Sequence, residues 1–75
     1  MAININGTFI HLTTIEKKCL ELLSKNLKLK EISKKLSLTP RTIEMHINSI
    51  RNKTGYFYRS DLIEIYYNAF VESKS

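Results

Sequence analysis

The run "TPRTIEMHINSIRNKTG", Thr39 to Gly55, constrains this chain more than any other, because it marks where a helix begins, what it buries and where it stops. Thr39 is a good N-cap, and Pro40 at the first helical position loses nothing by lacking its amide hydrogen. Leu38 and Ile43 stand at the two positions of a hydrophobic staple, which fixes the angle of entry. Gly55 supplies the C-terminal stop. With about 3.6 residues per turn, Ile43, Ile47, Ile50 and Thr54 fall on one stripe, the candidate core face. Arg41, Met45, Asn48 and Asn52 fall opposite, flanked by Ser49 on one side and Glu44 on the other.

Shorter helices precede this one. Thr13-Thr14-Ile15-Glu16 fits a capping box, in which the threonine hydroxyl and the glutamate carboxylate satisfy each other's free backbone amides. Ile15, Cys19, Leu22, Leu23 and Leu27 follow at helical spacing, and Asn26 suits a left-handed helix end. These signals predict a first helix over about 14–25. Leu29 to Leu36 forms a short second helix, with Leu29, Ile32 and Leu36 on one side and lysines on the other. Two short helices, a turn of about three residues and a capped longer helix are the sequence form of a helix-turn-helix. A fourth helix is expected from Ser60-Asp61 to about Val71. Residues 1–11 alternate loosely around the turn-prone Asn6-Gly7 and read as an arm or short extended segment. The expected fold is therefore all-α, four helices (14–25, 29–36, 40–54 and 60–71) behind an N-terminal arm at 1–11, with the helical domain running over 12–75.

Composition narrows the function. A chain of 75 residues is one small domain that buries only about 60 to 65% of its unfolded surface, so partners often help to stabilise it. No apolar run approaches the roughly 20 residues needed to span a membrane, and no signal peptide is expected. The single cysteine, Cys19, sits in an apolar helical stripe and reads as a small buried hydrophobe rather than a reactive thiol. One cysteine and the distant His11 and His46 give no metal-ligand spacing. Without a glycine-rich phosphate loop or a nucleophile–base pair, no catalysis, cofactor, metal or small-molecule ligand is expected. The formal charge of +5 favours a polyanion, and residues 25–35 hold five lysines against Glu31 alone. The exposed stripe of the third helix is polar yet hardly charged. Asparagine can present a paired donor and acceptor to adenine, and an outward methionine suits a thymine methyl. A plain solvated face is the competing reading.

Several collinear segments point to one family. Leu12-Thr13-x-x-Glu16-x-x-Cys19-Leu20-x-Leu22 resembles the opening "LTxxExxVLxL" of LuxR/NarL/FixJ-type, or GerE-like, DNA-binding domains. Lys30-Glu31-Ile32-Ser33-x-x-Leu36 resembles "KEIAxxL", and Thr39-x-x-Thr42-Ile43-x-x-His46 resembles "SxxTVxxH". Ile50-x-x-Lys53-x-Gly55 is similar to "IxxKLG", and Arg59-x-x-Leu62-Ile63 to "RxxLV". The matches cover residues 12–63.

The resemblance implies a four-helix domain whose third helix enters the major groove of double-stranded DNA. It also implies dimerisation, commonly through the fourth helix, on inverted-repeat half-sites. Base contacts in the family fall on positions matching Glu44, Met45 and Asn48, and phosphate contacts on Lys28, Lys30, Thr39, Thr42 and Lys53. Adding Arg41, Ser49 and Asn52 from the exposed stripe completes the expected DNA-binding set. A bacterial transcriptional regulator in the cytoplasm, associated with the nucleoid, is expected, with RNA polymerase as a further candidate partner. A stand-alone regulator and an output domain of a longer chain both fit. The alternative is a helix-turn-helix protein that acts by protein–protein contact, as an antagonist of a related regulator.

Four departures from the family pattern bear on this. Glu44 stands where lysine is frequent, Lys28 where a capping Ser or Thr is usual, Thr54 at an apolar core position and Ser33 at a small-residue position. His46 matches the pattern beside the core stripe, where packing and hydrogen bonding outweigh any sensing role. In the fourth helix, Leu62, Tyr66 and Ala69 form the expected core stripe. Ile63, Tyr67, Phe70 and Ile65 widen the apolar band well beyond what one core contact requires. The surplus predicts a dimer interface of Ile63, Tyr66, Tyr67 and Phe70. Cover by the N-terminal arm, through Phe9 and Ile10, is the competing explanation.

Overall fold

The computed structural model describes residues 2–5 and 7–71. Strands β1 (Ala2–Ile5) and β2 (Thr8–His11) precede α1 (Thr14–Ser24), α2 (Leu29–Leu36), α3 (Pro40–Thr54) and α4 (Arg59–Tyr66), and a π-helical turn (Tyr67–Val71) continues α4. The fold is a four-helix helix-turn-helix domain with a two-stranded N-terminal sheet.

The helix ends follow local chemistry. Thr13 and Glu16 form the complete capping box: the Thr13 amide donates to Glu16 Oε1 at 2.8 Å and the Glu16 amide to Thr13 Oγ1 at 3.2 Å. At α2 only half of that device exists, since Lys28 has no acceptor to offer; its amide donates to Glu31 Oε1 at 2.9 Å. Thr39 Oγ1 accepts the Thr42 amide at 3.2 Å, which starts α3. Asn26, Ser37 and Gly55 take positive φ of 67°, 56° and 78° and turn the chain after α1, α2 and α3.

The core is shared by all four helices and the sheet: Ile3, Leu12, Cys19, Leu20, Leu23, Ile32, Ile43, Ile47, Ile50, Leu62 and Ile65 are buried. Leu38 packs against that cluster, of which the fully buried Ile43 is a member. Burial pushes the Cys19 thiol up to about 11, aided by the Glu16 charge, so it stays protonated and acts as a hydrophobe. Thr54 is accommodated by returning its hydroxyl to the Ile50 carbonyl at 2.8 Å while accepting the Tyr56 amide. Buried Ser33 is satisfied in the same way by the Lys30 carbonyl.

The N-terminal arm is an extended segment folded back on itself: Ala2–Ile5 and Thr8–His11 form an antiparallel hairpin, in which Ile3 pairs with Ile10 and Asn4 with Phe9. Gly7, at φ 86°, donates its amide to Asn4 Oδ1 and closes the turn; Asn6, on which the turn expectation partly rested, lies outside the described residues, as do residues 72–75. The period of two then sets the faces. Ile3 turns into the core and Ile10 packs partly against it, whereas Phe9 is 72% exposed and covers nothing.

One expectation needs correction, and it concerns α4. It starts at Arg59, and Tyr58 offers no side-chain cap. Beyond Tyr66 the π turn adds residues to each turn, so a constant helical period misplaces the faces. Leu62 and Ile65 are the buried pair, and Tyr66, Ala69 and Phe70 are only partly covered. Asn4 and Ile5 share a cleft with Ile65, Asn68 and Ala69, so the hairpin does flank this helix, through β1.

Candidate nucleic-acid interface

The polar stripe of α3 is presented to solvent by burial of its opposite side. Ile43 and Ile50 have no exposure and Ile47 almost none. Arg41, Glu44, Met45, Asn48 and Asn52 are consequently exposed, and Ser49 is half-buried. Met45, 64% exposed, is a large apolar side chain that gains nothing from water there. His46 lies half-buried beside the core, as its place on the wheel indicates. Lys28 and Lys30 are exposed at the start of α2, and Thr39 is exposed at the start of α3. Thr39 and Thr42 hold each other's hydroxyls at 2.9 Å, leaving a compact pair of hydrogen-bonding groups at the start of α3.

A buried carboxylate fixes the other end of the stripe. Glu16 is only 3% exposed, yet it accepts from Lys53 Nζ at 2.7 Å and from Ser49 Oγ at 2.7 Å, besides the Thr13 amide. Burial opposes its ionisation, but the Lys53 ammonium and the Thr13 and Ser49 hydrogen bonds outweigh that and lower its pKa to about 2. Lys53 Nζ also donates to the His11 carbonyl at 3.2 Å, tying α3 to β2. Lys53, expected as a phosphate contact, and Ser49, expected at the reading edge, are thus already engaged with Glu16.

Glu16 was legible as a capping residue only. Its second role joins residues 33 and 37 positions apart, and a separation of that size leaves no periodic signal.

Arg51 and Arg59 were not among the expected site residues. Arg51 Nη1 donates to Asn48 Oδ1 at 2.8 Å. Arg59 Nη2 donates to the carbonyls of Leu27 (2.8 Å) and Leu23 (3.4 Å), placing a cation at the C-terminal end of α1.

The expected dimer residues share one region of α4 and the π turn. Tyr66 packs on Phe70 with ring centroids 5.3 Å apart and on Tyr67 at 6.0 Å, edge to face. Lys17 of α1 places its ammonium 5.0 Å from the Phe70 ring centre. Burial first, then the Glu21 charge, raises the Tyr66 phenol above its ordinary pKa. Tyr66 and Phe70 therefore meet α1, while Tyr67 is 42% exposed and Ile63 half-buried.

The sequence profile described as bacterial regulatory proteins, luxR family, matches residues 11–66, well over half the chain and all of the helix-turn-helix. The chain belongs to this family. LuxR-family membership makes it a DNA-binding helix-turn-helix regulator domain. No curated protein and no solved structure matches the chain. Among the described residues, no group of ligating side chains is placed to hold a metal, and no helix is long and apolar enough to cross a membrane.

Proposed function

We propose that this LuxR-family domain is a sequence-specific transcriptional regulator. It lays α3 in the major groove and acts as a two-fold dimer through α4 on inverted-repeat half-sites. The observation that supports this best is the exposed stripe of Arg41, Met45, Asn48 and Asn52 on a helix anchored from both ends. Uncharged hydrogen-bonding groups and one apolar group suit base edges, whereas a merely solvated face favours mixed charges. Glu44, Met45 and Asn48 read bases; Lys28, Lys30, Thr39 and Thr42 hold phosphates. Ile63 and Tyr67 form the dimer contact, with Tyr66 and Phe70 at its inner edge. The working site is the cytoplasmic nucleoid, with RNA polymerase as the partner that receives the regulatory effect.

Selection from a random double-stranded DNA pool at several salt concentrations tests the reading. An inverted repeat should emerge, and log K should fall by about 0.9 per decade of salt for each phosphate neutralised. Retention without sequence enrichment would sink specific recognition. A monomer in light scattering would remove the dimer. Glu44→Lys should strengthen binding to all sequences and alter preference at one base position; no change in either places Glu44 in solvent.

A second reading draws on one observation. With Lys53 paired to Glu16, Arg41 is the one cation of the reading stripe without an ion pair among the described residues, and it stands near Glu44. So little positive charge also fits a surface that meets another protein, as an antagonist would. Absence of DNA enrichment together with a stoichiometric complex with a related regulator would favour it.

A further inference from the structure

Arg51 is half-buried, and its side chain runs between two clefts. One is walled by Leu23, Leu29, Glu44, Ile47 and Arg59 and the other by Asn48, Asn52 and Phe57. Its Nε is sealed from solvent without a hydrogen-bond partner. The guanidinium is therefore held by packing, and among the described residues its one side-chain bond runs from Nη1 to Asn48 Oδ1 at 2.8 Å, at the exposed surface.

The chemistry of this bond is one-directional. A guanidinium has five donors, no acceptor and no accessible neutral form. Only the oxygen of the Asn48 amide can face it, which removes the usual ambiguity between amide oxygen and nitrogen. A bond to a charged donor is also stronger than a neutral one. Asn48 lies on the exposed stripe between Met45 and Asn52. With its oxygen turned along the helix to Arg51, it offers its two N–H groups outward.

Adenine is read by an asparagine that accepts from N6 and donates to N7. Guanine presents two acceptors, N7 and O6, and suits a group that only donates. We propose that Arg51 is a specificity-determining residue, which holds Asn48 as a donor and makes it select guanine rather than adenine. The proposal rests on the major-groove reading above. It assigns Arg51 a positioning role, through Asn48, without contact to a base.

The test compares wild type, Asn48→Ala and Arg51→Met in selection from a random double-stranded pool, with thermal melting of each. Methionine keeps the unbranched apolar stem and removes every donor. Asn48→Ala identifies the base position that depends on Asn48. At that position wild type should favour guanine over adenine by on the order of tenfold. Arg51→Met should move the preference towards adenine there and leave the other positions unchanged. A purely structural Arg51 would weaken all sites alike. Adenine in the wild-type site overturns the proposal, as does guanine that persists unchanged in a folded Arg51→Met. If Arg51→Met fails to fold, the wild-type base at the Asn48-dependent position decides alone. If wild type enriches no sequence, the major-groove reading falls and takes this inference with it; an enriched site with the wrong base overturns the inference only.

Discussion

α3 and α4 both bury apolar side chains in the core, but local caps secure α3 at both ends and α4 at neither. α3 starts on the Thr39 hydroxyl, stops at left-handed Gly55 and is clamped near its end by Glu16. α4 starts without a side-chain cap, has no left-handed stop after Tyr66 and passes into a π turn. Its first residue, Arg59, spends hydrogen bonds on the end of α1 instead. A helix with secured ends keeps one period and therefore one reliable exposed face. Without them, tertiary packing decides the phase, and the exposed side is a product of its neighbours.

Truncation should show the contrast most strongly. Ile50→Ala opens a cavity at a fully buried site and is expected to cost about 2–5 kcal/mol in urea unfolding, independent of protein concentration. Ile63→Ala, half-buried on α4, should cost less than half as much, and its loss should grow with protein concentration as the dimer contribution disappears. Equal, concentration-independent losses would make the outer edge of α4 part of the core and break the comparison.

The clamp on α3 has a pH signature. The Glu16 pKa is about 2 in the folded protein against an ordinary 4.5, so the unfolded chain takes up the proton first on acidification. Its stabilisation is complete above about pH 4.5 and disappears as pH falls through 2, a change on the order of 3 kcal/mol. Glu16→Gln should be less stable at neutral pH and show a flatter stability profile between pH 5 and 2. An unchanged acid slope would mean that other carboxylates set it.

The same contrast explains what was legible in the sequence. The caps at Thr13, Thr39 and Gly55, the core triad Ile43, Ile47 and Ile50, and the exposed positions of α3 all follow from rules acting over three or four residues. The hairpin was half-legible: Asn6-Gly7 indicated a turn, but the strands around it are too short for alternation to outweigh reading them as an arm. The Glu16 clamp joins segments distant in sequence, and the π turn arises where no cap fixes the helix. Both are decided by packing, which residue spacing does not carry. Arg51 bonds to Asn48 over one helical turn, and that spacing was available; its meaning depends on the burial that aims the guanidinium.

Hairpin parity gives a smaller effect. Ile3→Ala should destabilise the domain by about 1–3 kcal/mol, because Ile3 is 5% exposed, whereas Phe9→Ala should stay within about 0.5 kcal/mol. If Phe9→Ala instead weakens self-association in light scattering, the exposed ring belongs to the dimer surface, and α4 is not its sole element.

The smallest expected change separates two lysines that the sequence treats alike. Lys30 is exposed in the first turn of α2, and its charge is uncompensated by any ion pair among the described residues. Lys30→Gln should reduce the slope of log K against log salt by about one. The Lys53 charge is met by Glu16 before any DNA arrives, with their atoms 2.7 Å apart. Releasing it to a phosphate would strand a carboxylate that is 3% exposed, which costs more than a surface phosphate contact returns. Lys53→Gln should therefore lower stability yet leave the salt slope unchanged, provided the variant is folded in the assay. A slope loss equal to that of Lys30→Gln would show that DNA draws Lys53 away from Glu16, and the clamp on α3 would then open on binding.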